Sequence, residues 1–208
     1  MPGSPRDREF LHLPGYLESL RSGDSQALDR LMDLLWAPLV GYAGRILPDD
    51  SDPQDIVQEA FVRLWTRRAT LREDGSLQAL LYTTVRNACL DEIRTNRRRQ
   101  KLRSAECGPS PAPGPYEDTR GAELQRLAAA AVAKLPEKRR EVFRLVRQEG
   151  LSYREAAEVL GLSEQTVANH MSLALADLRT ALRPFVSHGE AGPRTREEPH
   201  TRGRPSGG

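Results

Sequence analysis

Two groups of side chains in this sequence have types and spacing that could do chemistry. The first is Ser163, Gln165, Thr166, Asn169 and Ser172, short amides and hydroxyls at helical spacing. A Gln or Asn amide donates and accepts at once, so each can make two hydrogen bonds to an adenine edge in a DNA major groove. The second is Arg97, Arg98, Arg99, Lys101 and Arg103, a cationic run with no acidic residue inside it. Such a run neutralises phosphates, although cations also favour a helix C-terminus with no ligand at all. Nothing comparable points to catalysis. His12, His170, His188 and His200 are scattered, and Cys89 and Cys107 have neither metal-ligand spacing nor a CxxC pattern. Asp52, Asp55 and Glu59 could be imagined as metal ligands, but an acidic helix face that docks on a partner explains them with less. The expectation is a chain without catalytic residues, metal or cofactor.

The amide and hydroxyl group needs a helix to carry it. Ser152 and Glu155 form an S-x-x-E capping box, so a helix is predicted to start at Tyr153. Gly161 sits where that helix must stop, and it alone accepts a positive φ without strain. Ser163 is a second N-cap, with Leu162 and Val167 placed as a hydrophobic staple. Beyond it Val167, Met171, Ala174, Leu175, Leu178 and Leu182 recur at steps of three and four and make one apolar face. Gln165, Thr166, Asn169, Ser172 and Leu173 face the other way. The pattern is a helix-turn-helix whose second helix suits a major groove.

The remaining elements are marked by similar punctuation. Residues 1–13 read as a flexible leader. A short helix follows Pro14 and ends near Gly23. Asp24 can cap a longer helix running to about Leu47, which Pro38 should kink or interrupt. Asp52-Pro53 is an N-cap followed by proline at the first helical position. The helix 52–65 buries Ile56, Val57, Ala60, Phe61 and Leu64, puts Trp65 at the border, and shows Asp55, Gln58, Glu59 and Val62 on its other side. The loop at Glu73, Asp74 and Gly75 breaks the chain, Ser76 caps the next helix, and Leu77, Leu80, Leu81, Thr84, Val85 and Ala88 face a core. Gly108 to Gly121 is rich in proline and glycine and reads as a linker. After it come an alanine-rich helix closed by Pro136 and a helix with Val142, Phe143, Leu145 and Val146 stopped by Gly150. From Ser187 no large apolar residue remains, and that tail is expected to be disordered.

Composition agrees with an all-α chain. It has 208 residues, 38% hydrophobic and only 5% aromatic, and a net charge of +2. Overall charge is too small to drive nucleic-acid binding, so local clusters must do it. No run approaches a membrane span and no signal-peptide core opens the chain. The simple expectation is a reduced, cytoplasmic compartment.

Three segments carry a resemblance: DPQDIVQEAFVRLW at 52–65, LYTTVRNACLDEIR at 81–94, and LPEKRREVF with LSYREAAEVLGLSEQTV at 135–167. Together they make the chain resemble the bacterial extracytoplasmic-function (group 4) sigma factors of the sigma-70 family, from about Tyr16 to Phe185. The resemblance implies two small helical domains. Sigma region 2 would occupy 14–103 and sigma region 4 would occupy 122–186, with a Pro/Gly-rich linker at 104–121 and a tail at 187–208. It implies a promoter-specificity subunit of RNA polymerase that directs transcription initiation and assists DNA melting. Asp55, Gln58, Glu59 and Val62 would contact the clamp helices of the β′ subunit. Tyr82, Arg86, Asn87, Asp91, Arg94, Arg97, Arg98 and Arg99 would serve the −10 element, with Asn87 where family members hold a flipped-out base. Ser163, Gln165, Thr166, Asn169, His170 and Ser172 would serve the −35 element. The β flap and an anti-sigma factor are the further partners implied. The chain departs from the family in having no arginine from Ser163 to Leu178, and in carrying Leu77 and Leu80 where aromatic residues are common.

Two other readings are open on the residues alone. A free-standing repressor or activator would bind duplex DNA by itself and would need a ligand or dimer surface, of which the sequence gives no sign. A protein adaptor would have no need of the basic run.

Overall fold

A computed structural model describes residues 14–72, 75–103 and 120–186. The leader 1–13, Glu73 and Asp74, the linker from 104 to 119 and the tail 187–208 lie outside the described residues. Among those described, the regular elements are all helical.

The N-terminal part holds α1 (Pro14–Ser22), α2 (Ser25–Gly44), α3 (Pro53–Thr66), a 3₁₀ turn at Arg68–Thr70, and α4 (Leu77–Arg103). Its helix starts follow the expected chemistry. Asp24 accepts from the Gln26 N–H at 2.9 Å and Asp52 accepts from the Gln54 N–H at 2.8 Å. Ser76 accepts from the Ala79 N–H at 3.1 Å. Pro38 does not interrupt α2, which runs unbroken to Gly44. Leu35 and Leu39 are fully buried on either side of it. Packing of that face outweighs the one backbone hydrogen bond that proline removes.

Helices α2, α3 and α4 pack pairwise on one another. Leu31, Leu35, Leu39, Val57, Phe61, Leu81 and Val85 fill the space between them. Each leucine buried in this way contributes about 2 kcal/mol. Trp36 stacks on Phe61 with centroids 6.1 Å apart. Two residues of α4 differ from expectation. Leu80 is exposed, and Tyr82 is fully buried in its stead. Cys89 is also in the core, where burial pushes its thiol up to about 11.

The C-terminal part holds α5 (Arg120–Ala133), α6 (Glu137–Phe143), a π turn at Arg144–Gln148, α7 (Tyr153–Leu160) and α8 (Glu164–Val186). Helix α8 is the hub, packed by α5, α6 and α7. The π turn is a feature the sequence did not announce. The Glu149 N–H reaches back to the Arg144 carbonyl at 3.0 Å, a five-residue step.

The two parts are not separate beads. Helix α4 packs on α7, and one hydrophobic core runs from Leu35 and Val85 through to Val142, Val159 and Met171. The two helical domains that the sequence predicts are therefore also in direct contact, with Arg45 of α2 ion-paired to Glu149. The physical reason is that both domains leave apolar residues on facing surfaces that water would otherwise wet.

Candidate nucleic-acid interface

The helix-turn-helix is built as its caps dictate. The Ser152 hydroxyl accepts from the Glu155 N–H at 3.2 Å, and the Glu155 carboxylate accepts from the Ser152 N–H at 2.8 Å. Gly161 closes α7 with φ of 64°. Ser163 accepts from the Thr166 N–H at 3.2 Å and starts α8. Val167, Met171, Ala174 and Leu178 are buried as one face of α8. On the opposite side Ser163, Gln165, Asn169 and Ser172 are exposed and Thr166 is half-buried. The Gln165 amide donates to Asn169 at 3.1 Å, so the two groups best able to read adenine are held together one turn apart. His170 is different. It is half-buried and its Nδ1 is buried without a hydrogen-bond partner, which turns part of the ring away from that outer face.

On α3, Asp55, Gln58, Glu59 and Val62 all lie exposed along one outward stripe. Val62 is 57% exposed, an apolar residue that the core does not use. Glu59 accepts from Arg63 at 2.6 Å across one turn.

Helix α4 divides its candidate residues. Asn87, Asp91, Arg94, Arg97 and Arg98 are exposed, and Arg94 pairs with Asp91 at 2.8 Å. For Arg99 only the backbone is described. Tyr82 and Arg86 face the other way. The Tyr82 hydroxyl donates to Glu149 at 2.8 Å, and Arg86 Nε donates to Glu141 at 2.8 Å. Burial works against the charge on Arg86, and the bond and charge of Glu141 outweigh it, so its pKa rises above the ordinary arginine value. The structure therefore does not place Tyr82 and Arg86 on the surface that carries Asn87 and the arginines.

Sequence reasoning missed a cleft of about 630 Å³ between α3 and the start of α4. Asn87 opens onto it with Arg63, Arg67, Leu71 and Thr83, and Glu158 of α7 stands among its lining residues. The 3₁₀ turn and the loop after it make one side of this cleft, and no periodicity in the sequence could announce their path. A second, largely apolar groove of about 690 Å³ lies on the C-terminal part between Phe143, Leu175, Leu178 and Leu182, with Arg147 and Arg179 beside it. No group of His, Cys, Asp and Glu that could hold a metal ion occurs among the described residues. No helix among them is long and apolar enough to cross a membrane.

Fold and site thus define an all-helical, two-part protein with a helix-turn-helix in its second part. Comparison with known proteins sharpens that class. The family model described as Sigma-70 region 2 matches residues 35–99, and that described as Sigma-70, region 4 matches residues 125–178. The probable RNA polymerase sigma factor RfaY of Xanthomonas campestris pv. campestris is 31% identical over 166 residues, which cover 77% of this chain and 42% of RfaY. The chain thus spans less than half the length of that relative. The ECF RNA polymerase sigma factor SigL of Mycobacterium tuberculosis is 30% identical over 167 residues, covering 78% of this chain and 94% of SigL. The structure of CnrH in complex with the cytosolic domain of CnrY aligns with a TM-score of 0.56 at 26% identity, over 83% of this chain and 98% of that one. The chain belongs to the extracytoplasmic-function RNA polymerase sigma factors of the sigma-70 family. It is a promoter-recognising subunit, and members of that family initiate transcription without a catalytic activity of their own.

Proposed function

We propose that this chain docks on the clamp helices of core RNA polymerase through Asp55, Gln58, Glu59 and Val62. Once bound, it opens the −10 element along α4 and reads the −35 element as duplex with α8. The observation that carries the reading is the cleft beside Asn87. Extracting one base from a stack costs a few kcal/mol, so a melted base needs a shaped polar site to hold it. A cleft of about 630 Å³ with an exposed amide and the arginines Arg63, Arg67 and Arg72 on its walls suits one base and its flanking phosphates. Arg94, Arg97, Arg98 and Arg99 continue along the same helix as phosphate contacts. Asp91 holds Arg94 by its ion pair.

Duplex reading falls to Ser163, Gln165, Thr166, Asn169 and Ser172, with His170 contributing from a partly buried position. The recognition helix brings few cations, so its share of affinity is small, and tethering to polymerase must raise its effective concentration. The groove at Phe143, Leu175 and Leu182 suits an apolar helix such as the β flap offers. The same groove and the exposed stripe of α3 are surfaces an anti-sigma factor would cover. The chain works in the bacterial cytoplasm, where its polymerase is.

Run-off transcription with core polymerase tests the reading. Asn87→Ala should lower open-complex formation by about 10-fold or more, equivalent to roughly 1.4 kcal/mol, and leave polymerase binding unchanged. Val62→Asp should abolish pull-down of core polymerase. If both variants transcribe like the unmodified protein, the assignment fails.

A further inference from the structure

Leu173 stands on the outer face of α8, and the duplex reading leaves it without a role. It is 46% exposed, an apolar side chain left in water. Val62 and Leu80 are exposed too, but Val62 lies on the polymerase stripe of α3 and Leu80 lines the cleft beside Asn87. A single exposed leucine is ordinary and by itself points to nothing. Its register is what singles it out. Gln165, Asn169 and Leu173 follow one another at steps of four, so they share one side of α8. All three are exposed, and the buried face is the opposite one. The apolar groove at Phe143, Leu175 and Leu182 does not include Leu173.

The second observation is one of charge. From Ser163 to Leu178 there is neither lysine nor arginine, and Arg179 is the first of either in α8. Guanine shows the major groove two acceptors, and its usual partner is an arginine or lysine. This face offers none. Adenine shows a donor beside an acceptor, which an amide matches. The bond from Gln165 Nε2 to Asn169 Oδ1 at 3.1 Å exhausts neither group. Gln165 keeps its carbonyl and one N–H, and Asn169 keeps both N–H groups and a second lone pair. Thymine alone carries an apolar mark in the groove, its C5 methyl. Leu173 lies about 12 Å along the axis from Gln165, a span of three or four base pairs at roughly 3.4 Å each.

We propose that Leu173 is a specificity residue that packs on the C5 methyl of a thymine. Helix α8 then reads a −35 element of A·T pairs, with adenine at the two amides and thymine at the leucine. This rests on the reading of α8 as the −35 helix. The methyl contact takes apolar surface out of water on both sides and needs no charge. Cytosine in that place would lack the methyl and would press an amino donor against hydrocarbon, where it has no partner.

The test uses reconstituted holoenzyme, the full chain on core RNA polymerase, and a duplex DNA library with a random insert. Leu173 belongs to neither hydrophobic core, so its variants keep the fold. Selection by the unmodified holoenzyme should enrich an upstream element of A·T pairs. Selection with Leu173→Arg should bring guanine in at one position of that element and leave the downstream −10 element as it was. On the enriched duplex, deoxyuridine in place of the thymine at that position removes only the methyl. The unmodified holoenzyme should then bind about fourfold more weakly, the worth of one methyl taken out of water. Holoenzyme with Leu173→Ala should bind the two duplexes equally. No loss in the unmodified protein, or the same loss in both, would overturn the assignment of Leu173. If Asn169→Ala still changes the enriched upstream element, the reading of α8 survives that result. A −10 element enriched with no upstream element would overturn the reading of α8, and the proposal with it. Weaker pull-down of core polymerase by Leu173→Ala would put the leucine on a protein-binding face and would overturn the proposal as well.

Discussion

At the scale of single residues, Tyr16 shows how a local contact becomes a pH dependence. Its hydroxyl donates to the Ala27 carbonyl at 2.5 Å, and burial pushes its pKa up to about 12 from an ordinary 10.0. Below pH 10 the phenol is protonated whether the chain is folded or not, and its contribution is complete. Between 10 and 12 the unfolded chain loses the proton first, so stability falls as pH rises. Burial also raises Tyr42, next to the negative charge of Glu141, and acts in the same direction. The buried Cys89 thiol, raised from 9.0 to about 11, acts in the same direction at a lower pH, so urea titrations should give an unfolding free energy that begins to decline near pH 9 and falls more steeply above 10. Tyr16→Phe should make that decline shallower without removing it. A decline of unchanged depth in the variant would show that Tyr16 is not responsible. The residues that face outward were easy to foresee in this chain. Asp55, Gln58, Glu59 and Val62 are separated by steps of three and four, and the opposite side of α3 is plainly apolar. Glu149, Glu141 and Arg45 were not foreseeable, because their partners lie far along the chain and a lone charge reads as solvated.

At the scale of elements, caps and turns were the most legible features. Ser152 with Glu155, Gly161 and Ser163 each act through their immediate neighbours, so local sequence is sufficient. Gly161 is the sharpest case. A Cβ there would meet nothing within 4 Å, yet φ is 64°. Gly161→Ala should therefore cost only the backbone term, about 1 kcal/mol, visible as a lower denaturant midpoint with an unchanged slope. A cost near zero would mean that the turn relaxes. Helix α4 was read less well, with Leu80 expected inside and Tyr82 placed on the DNA side. The reason is that α4 packs on α2 and α3 by one face and on α7 by another. A helix buried on two sides has no single stripe, and periodicity then misassigns its borders. Pro38 misled in the opposite sense, since a propensity argument gave way to the packing of Leu35 and Leu39.

At the scale of the whole molecule, the fold class and the two-part organisation were legible, but the closure between the parts was not. Composition sets the class, and a proline-rich stretch marks where the chain divides. Docking of the domains depends on contacts between residues 55 to 104 positions apart, which no window of sequence contains. A continuous core predicts shared cooperativity. Calorimetry of the unmodified chain should show one heat-absorption peak, and Arg45→Ala should separate it into two as each domain melts alone. Two peaks in the unmodified protein would show that the shared core couples them little.

The π turn at Arg144–Gln148 has a consequence for how far this arrangement can drift by mutation. It inserts one residue more than a regular helix would hold, immediately before Glu149. Deleting one of those residues would restore ordinary winding and leave Glu149 near its present bearing, because five π-wound residues sweep about the same arc as four α-wound ones. A residue lost from the regular winding of α6 has no such slack and would turn the carboxylate by about 100°, away from Arg45 and Tyr82. The chain can therefore shorten by one codon within the bulge and keep the grip between its halves, but not one turn earlier.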